Sequence, residues 1–209
     1  KTEVLAGVKI ETGEPFSDRP NEGALTVNSE FVPLASPEFE AGPPGEESIE
    51  LARIVDRGIR ESKAIELERL CIVPGKKVFV VFIDVYVLNH DGNLIDTAGL
   101  AALASILNTK MSNYEVVEDE VKVLPGFTQL PVVNYPIPVT FAKINGQLVA
   151  DPGLDEEEVM DARLTVTFEK NGKVCAMQKS GRGFFTEEQV LEAVKTGQQK
   201  AEGIRRTVV

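Results

Sequence analysis

The run at residues 77–88, KVFVVFIDVYVL, limits what this chain can fold into more than any other part of the sequence. It is rich in β-branched and aromatic residues, which favour a strand, and both of its faces are apolar. Such a strand lies in the centre of a sheet, because its edges need strand partners and its faces need cover. The rest of the chain must supply the further strands and the packing helices.

Those elements occur in two successive groups, in each of which strands are followed by a helix. The first group has strands at 2–10 and 24–31, a helix at 49–64 with Ser48 as its N-cap, and a helix at 97–108 opened by Asp96. The second has hairpins at 139–150 and 164–179, each turned by Asn-Gly, and a helix that runs from a capping box at Thr186 to about Arg205. We expect an α+β fold of two halves, with mixed or antiparallel sheets packed by helices and a division near residues 115–135.

Composition excludes several classes of protein. The 209 residues include no apolar run near the roughly 20 residues of a membrane span. The formal net charge of −11 argues against non-specific wrapping of nucleic acid, although it allows a local basic patch. Cys71 and Cys175 lack CxxC spacing, as is typical of buried, reduced thiols. We therefore expect a cytoplasmic globular protein without a membrane segment.

Three arginines lie on one face of the helix after Ser48. Arg53, Arg57 and Arg60 fall within an arc of roughly 60° at 100° per residue, opposite the apolar side of the helix. With acidic residues nearby, this arc is either a solvated face or a track that grips phosphates with planar guanidinium groups. The pattern alone favours the solvated face.

Carboxylates are concentrated in the run DPGLDEEEVMD at 151–161. An acidic surface loop accounts for this run most simply, since it lacks the glycine and the alternating acids of a calcium loop. The alternative is a metal-dependent ribonuclease in which Asp151, Asp155 and Glu157 hold Mg²⁺ through their oxygens.

The stretch at 90–107, HDGNLIDTAGLAALASIL, passes from the end of a strand through a polar turn into a helix. Such junctions often bind phosphate, because the turn and the helix N-terminus present unpaired N–H groups. Here Leu94 and Ile95 follow the turn, without a cationic or hydroxyl side chain before Asp96. The stretch is either a phosphate site or a site that has lost its chemistry.

Read in order, these segments resemble the RNase PH family, and within it the non-catalytic RNase PH-type subunits of the archaeal exosome ring. The most specific motif is IELARIVDRGIR at 49–60. It is joined by LAGVK at 5–9, PNEG at 20–23, GPP at 42–44, PGK at 74–76, DVYVL at 84–88 and QKSG at 178–181. The resemblance covers essentially the whole chain. It implies an RNase PH fold with a first domain at 1–120 and a second at 128–209, and it implies that the family's N-terminal helix and first strands would precede Lys1.

The resemblance also implies that this chain has no catalytic residue and no metal ligand. In catalytic relatives a Thr-Arg pair after the turn holds the attacking phosphate, and the matching positions here are Leu94 and Ile95. A second phosphate-binding arginine falls on Glu47. The paired catalytic aspartates, spaced six apart, fall on Asp151 and Glu157.

The same resemblance assigns RNA binding to Arg53 and Arg57, with Arg60 in the same motif. It implies a catalytic RNase PH-type partner in a hetero-hexameric ring that degrades single-stranded RNA from its 3′ end, together with RNA-binding cap proteins. We expect no cofactor in this chain, since phosphate and Mg²⁺ belong to the partner's active site. A further alternative is that the chain forms a homo-oligomer without an RNA role.

Overall fold

A computed structural model describes residues 1–117 and 120–209. Residues 118 and 119, which fall in the predicted division at 115–135, lie outside the described residues. The fold is α+β and contains a mixed sheet, an antiparallel sheet, a separate hairpin and the helices that pack on them.

The first sheet forms around the long apolar strand. Its strands are β1 (Glu3–Gly13), β2 (Ala24–Phe31), β3 (Cys71–Val73) and β4 (Lys77–Asn89). β4 lies between β1 and β2, and β3 pairs with its first residues, which confirms the predicted central strand. β1 runs antiparallel to β4 while β2 runs parallel to it, so this sheet is mixed.

One face of this sheet is covered by α1 (Glu46–Glu61) and α2 (Leu94–Leu107). Alternate β4 residues from Val81 to Val87 lie on that face and are fully buried. The opposite face is only partly covered, since Tyr86 and Leu88 are 39% and 38% exposed. The strand is therefore central in its sheet, although only one of its two apolar faces is fully covered.

The second sheet is fully antiparallel. It consists of β7 (Ile137–Ile144), β8 (Gln147–Ala150), β9 (Ala162–Phe168) and β10 (Val174–Ser180), in the order β10–β9–β7–β8. Both predicted hairpins are present, and Asn145 and Gly146 have the positive φ values that a tight two-residue turn requires. The short α3 (Leu154–Val159) follows β8, and α4 (Glu187–Val208) begins at the predicted Thr186 capping box.

Helices pack on both faces of the second sheet. On one face, Gly197 of α4 leaves room for Phe168, because a Cβ at Gly197 would lie 2.9 Å from the Phe168 ring. On the other face α1 passes Thr167 at Gly58, where a Cβ would lie 3.4 Å from Cγ2 of the threonine. α1 therefore lies between the two sheets and contacts both of them.

A hairpin that the sequence analysis missed joins the two sheets. β5 (Lys110–Val117) and β6 (Glu120–Gln129) pair with each other in a two-stranded sheet. Its residues are mostly exposed, so they show no clear alternation of apolar and polar positions. Pro125 and Gly126 within β6 also argue against a strand when only the sequence is read.

Two predicted helix caps were wrong. Ser48 lies inside α1, which begins two residues earlier at Glu46 after Gly45. Its hydroxyl is buried and donates to the carbonyl oxygen of Ser29 on β2. Asp96 does not open α2 either, since the helix begins at Leu94 after Asn93, whose side chain accepts a hydrogen bond from the Asp96 N–H. In both cases a contact with another part of the fold determines the role of the polar side chain.

Cys71 and Cys175 are unbridged and partly buried. Burial raises the pKa of the Cys175 thiol to about 11. Across residues 1–117 and 120–209, no helix is both long and apolar enough to cross a membrane.

Candidate functional site

The predicted arginine face is present on α1, but its three members differ in what they contact. Arg53 and Arg57 are exposed. Within the described chain Arg53 has no hydrogen-bond or ion-pair partner, and an Nη of Arg57 donates to Oε1 of Gln178 at 3.4 Å. Both guanidinium groups are therefore accessible to an anionic ligand.

Arg60 is held by the protein itself. Its Nε and Nη2 donate to the two carboxylate oxygens of Asp56 at 3.0 and 2.7 Å, and Nη2 also donates to the carbonyl oxygen of Leu25 at 2.9 Å. The hydrogen bond to Asp56 raises the pKa of Arg60. These contacts bind α1 to β2 and occupy most of the donors that a phosphate would use.

A long groove runs along the arginine face. It has a volume of about 820 Å³ and lies between α1, β2 and the end of β10. Val27 and the exposed Ile49 contribute apolar surface, and Gln178 contributes an amide. Arg53 and Arg57 supply its accessible cations, although four carboxylates also line it: Glu46, Glu50, Asp56 and Glu61. Attraction for the negative charges of a bound chain is therefore confined to the two exposed guanidinium groups.

The turn at residues 90–94 is closed by a second loop packed directly against it. Gly92 and Asn93 both have positive φ values, and Gly92 pairs with Gly153 in an isolated antiparallel bridge. A Cβ at Gly92 would lie 2.5 Å from the backbone carbon of Gly153. Leu94 and Ile95 are buried at the start of α2, where they supply no polar group to a ligand.

Asp96 points into the protein and connects α2 to the second sheet. Its carboxylate accepts hydrogen bonds from the Thr140 N–H at 2.9 Å, the Thr140 hydroxyl at 2.7 Å and the Asn93 amide at 2.9 Å. Burial raises the pKa of Asp96, and the hydrogen bonds from Asn93 and Thr140 oppose that rise. Asp96 is thus a structural carboxylate and is not accessible to a ligand.

Of the three carboxylates of the metal-dependent alternative, Asp151 and Glu157 both contact Asn93, and Asp155 lies apart from them. Asp155 is exposed on α3. Asp151 accepts a hydrogen bond from the Asn93 side-chain amide at 2.6 Å, and Glu157 accepts one from the Asn93 N–H at 3.2 Å. In the described residues no group of three or more His, Cys, Asp or Glu side chains is placed to hold a metal ion. The described residues therefore give no geometric support for the metal-dependent alternative.

The Glu157 side chain lies against the turn and accepts a hydrogen bond from the Asn93 N–H. Its carboxylate is 12% exposed and lies 3.5 Å from an Nη of Arg163. Burial raises the pKa of Glu157, and Arg163 opposes that rise. A carboxylate of the protein itself thus accepts the hydrogen bond of the Asn93 N–H, which would otherwise be available to a ligand of the turn.

Arg163 on β9 was missed by the sequence analysis. It lies 3.5 Å from Glu157 through one Nη and 3.5 Å from Glu50 of α1 through the other. Glu50 also accepts a hydrogen bond from the Ser180 hydroxyl on β10. Glu50 is separated from these two partners by 113 and 130 residues in sequence, so no local spacing could have revealed the contacts.

The space in front of the turn is a cavity of about 300 Å³ whose lining is acidic and apolar. Leu94 and Ile95 lie on one side of it, and Glu47, Glu157 and Arg163 also face it. The structure thus brings together Glu47 and the Leu94–Ile95 pair, as the resemblance implied, and leaves Asp151 outside this lining. Arg163 is partly shielded by carboxylates and His90 is the other basic side chain in this lining, so the cavity offers little attraction for a phosphate dianion.

Comparison with known families places almost the whole chain in one of them. Residues 1–112 match the 3′ exoribonuclease family, domain 1, which is the first domain of RNase PH. Residues 134–200 match domain 2 of the same family. The β5–β6 hairpin lies largely between the two matched ranges.

Individual proteins agree with the family match. The chain is 56% identical over 210 aligned positions to "Exosome complex component Rrp42" of Pyrococcus horikoshii, covering 100% of the chain and 77% of that protein. Among solved structures, it is similar to a chain of the "archaeoglobus fulgidus exosome with RNA bound to the active site", with 42% identity, a TM-score of 0.90 and coverage of 100% and 80%. A chain of the "Archaeal exosome core" gives 38% identity, a TM-score of 0.85 and coverage of 99% and 77%.

Proposed function

The chain belongs to the RNase PH family of 3′ exoribonucleases, and from that membership we propose that it is a non-catalytic subunit of an archaeal exosome ring. In this role it alternates with a catalytic RNase PH-type subunit in a hexamer that degrades RNA from the 3′ end with phosphate. RNA-binding cap proteins complete the assembly. Similarity at 56% identity to a protein named as an exosome component supports this proposal.

The state of the turn at residues 90–94 supports the absence of catalysis. Phosphorolysis requires a phosphate dianion next to the phosphate of the RNA, and this charge must be compensated. Here Leu94 and Ile95 are buried and apolar, and the Glu157 carboxylate accepts the turn's N–H. Glu47 adds a further negative charge to the lining of the cavity. Bound phosphate would be repelled rather than activated.

The observation that carries the RNA-guiding role is the pair Arg53 and Arg57, both exposed on one face of α1 beside a long groove. Two placed cations suffice to direct a single strand locally, while the net charge of −11 keeps the remaining surface from binding nucleic acid non-specifically. The contribution of Arg60 to RNA binding stays a prediction, as do the domain bounds 1–120 and 128–209. The proposal therefore rests on Arg53 and Arg57.

The RNA-guiding role is tested by replacing Arg53 and Arg57 together by alanine in the ring assembled with its catalytic partner. Binding of a fluorescent single-stranded RNA is measured by anisotropy over a range of salt concentrations. Loss of two phosphate contacts should make the slope of log K against log salt shallower by about 1.4, at roughly 0.7 per contact.

The matched control replaces Arg69 and Arg206, which are also exposed but lie outside the groove lining. It makes the same change in net charge and should leave the slope unaltered. Equal slopes for the native ring and the Arg53/Arg57 variant would refute the guiding role.

The non-catalytic role is tested with labelled RNA and Mg²⁺, with and without inorganic phosphate. The chain alone should leave the RNA intact in both conditions, and adding it to the catalytic partner should raise the partner's rate. Release of nucleoside diphosphates by the chain alone would show that it holds phosphate at a functional site and would refute this role.

A further inference from the structure

α1 and β10 lie side by side, and two side-chain hydrogen bonds join their described residues. Glu50 accepts a hydrogen bond from Ser180, and Arg57 donates to Gln178. Glu50, Arg53 and Arg57 are spaced i, i+3 and i+7, so they form one stripe along the helix. Ser180 and Gln178 are two residues apart on β10, so they point to one face of the sheet. Arg53 therefore lies between two residues of α1, Glu50 and Arg57, that are hydrogen-bonded to β10.

Arg163 on β9 reinforces the contact that Glu50 makes with β10. Arg163 is the cross-strand neighbour of Ser180, and its guanidinium lies 3.5 Å from the Glu50 carboxylate. The Arg163 side chain is 18% exposed and the Glu50 side chain 36%, so solvent screens this ion pair only in part. Glu50 is thus held to two adjacent strands of the second sheet.

The far side of the Arg163 guanidinium faces the turn at residues 90–94. There it lies 3.5 Å from Glu157, whose carboxylate accepts the Asn93 N–H at the start of α2. Within residues 1–117 and 120–209, the buried Nε of Arg163 has no hydrogen-bond partner. The orientation of the guanidinium is therefore set by the two carboxylates it bridges.

We propose that Arg163, held between Glu157 and Glu50, is a positioning residue that fixes the distance between α1 and β10 and thereby places Arg53 and Arg57 for RNA. The former phosphate-binding turn then serves as an anchor for the RNA-guiding helix. This inference rests on the proposed function of Arg53 and Arg57. It assigns Arg163 no contact with RNA.

The test replaces Arg163 by methionine, which keeps much of the length of the side chain and removes the guanidinium. RNA affinity of the assembled ring is measured in the native background and in the R53A/R57A background, below the melting temperature of every variant. Gel filtration confirms that each ring stays assembled. In the native background R163M should weaken RNA binding by about threefold to tenfold.

In the R53A/R57A background the same substitution should have no further effect, because Arg163 acts through the two arginines that are already absent. An equal loss in both backgrounds would show that Arg163 attracts RNA by its own charge, and would overturn the inference. No loss in the native background would overturn it as well. A purely structural role would lower the melting temperature without this dependence on background.

The E50Q variant gives a second test, in which the direction of the change in RNA affinity distinguishes the two explanations. Removing a negative charge beside the groove should tighten RNA binding if long-range electrostatics dominates. Loss of the Arg163 ion pair should weaken binding if positioning dominates, and tighter binding would overturn the inference. The variants also separate failure of this inference from failure of the proposed function. If the R53A/R57A ring binds RNA as tightly as the native ring does, the proposed function fails. If the R53A/R57A ring binds RNA weakly while the R163M ring binds it normally, only the positioning role of Arg163 fails.

Discussion

The Asp96 carboxylate connects α2 to the second sheet, and the effect of removing this carboxylate on stability can be worked out from its hydrogen bonds. It is buried and accepts two hydrogen bonds from Thr140, on β7, and one from Asn93. Replacing Asp96 by alanine removes the acceptor for all three donors. The consequences differ from donor to donor, because two of them have another partner nearby.

The Asn93 amide keeps its hydrogen bond to Asp151 at 2.6 Å, and the Thr140 hydroxyl keeps its hydrogen bond with Thr165 at 2.9 Å. The Thr140 N–H loses its acceptor in the core. An unsatisfied buried N–H group costs about 1–3 kcal/mol. We expect Asp96→Ala to lower the free energy of unfolding by this amount, which corresponds to a fall in Tm of roughly 2–12 °C for a chain of this size.

Asp96→Asn should have the opposite effect at neutral pH. The asparagine oxygen can accept from the Thr140 N–H, and its NH₂ can donate to the Thr140 hydroxyl, so the hydrogen bonds are retained without a buried charge. Since the folded-state pKa of Asp96 is raised, the folded protein binds more protons than the unfolded chain between the ordinary value of 3.8 and the raised value. Asp96 therefore makes the native protein less stable as pH rises through that window, and the asparagine variant lacks this contribution.

The assay is thermal and urea unfolding of the native protein and both variants, followed by circular dichroism from pH 4 to pH 8. The asparagine variant should match the native protein at the lowest pH and exceed it at neutral pH, with the alanine variant below both. An alanine variant as stable as the native protein would refute the role of the Thr140 hydrogen bonds. A neutral-pH stability of the asparagine variant equal to or below that of the native protein would refute the account of the buried charge.

Two further predictions concern the turn and a thiol. Gly92→Ala should lower the free energy of unfolding by at least about 2 kcal/mol, because its Cβ would meet backbone atoms of the loop at Gly153; Gly75→Ala, at a positive φ with open space around it, should cost only about 1 kcal/mol in the same unfolding assay. Equal losses would show that the loop can move away. In a Cys71→Ser background, alkylation of Cys175 at pH 7.5 should be about a hundredfold slower than that of an exposed cysteine, since burial raises its pKa from 9.0 to about 11. Rapid labelling in a kinetic mass-spectrometry assay would contradict this.

Features that depend on neighbours in sequence could be predicted well. The central position of β4, the Asn145-Gly146 turn and the capping box at Thr186 follow from local patterns and are confirmed. The second hairpin is also present, but its connection from Phe168 to Val174 is longer than a two-residue turn. The arc of three arginines on α1 is also local, since helical geometry alone fixes it. The resemblance to the RNase PH family then gave the fold, which the family matches confirm.

Features that depend on partners distant in sequence could not be predicted. From the sequence alone Ser48 is a good helix cap, and only the fold shows its hydrogen bond to Ser29. In the same way Arg60 is indistinguishable from Arg53 in the sequence, and only the fold shows that Asp56 and the Leu25 carbonyl occupy its donors. The parallel pairing of β2 with β4 requires knowledge of the connection between them, which strand patterns do not contain. The bridging position of Arg163 depends on two carboxylates brought together only by folding.

The position of α1 between the two sheets has a mechanical consequence under the proposed function. An RNA strand drawn towards the catalytic neighbour pulls on the arginines of α1, and a helix attached on one side would tilt under that load. α1 is attached to β2 through Ser48 and to β10 through Glu50, so the force is divided between two separate sheets. The arginine face of α1 can therefore keep its position while the RNA strand moves along it.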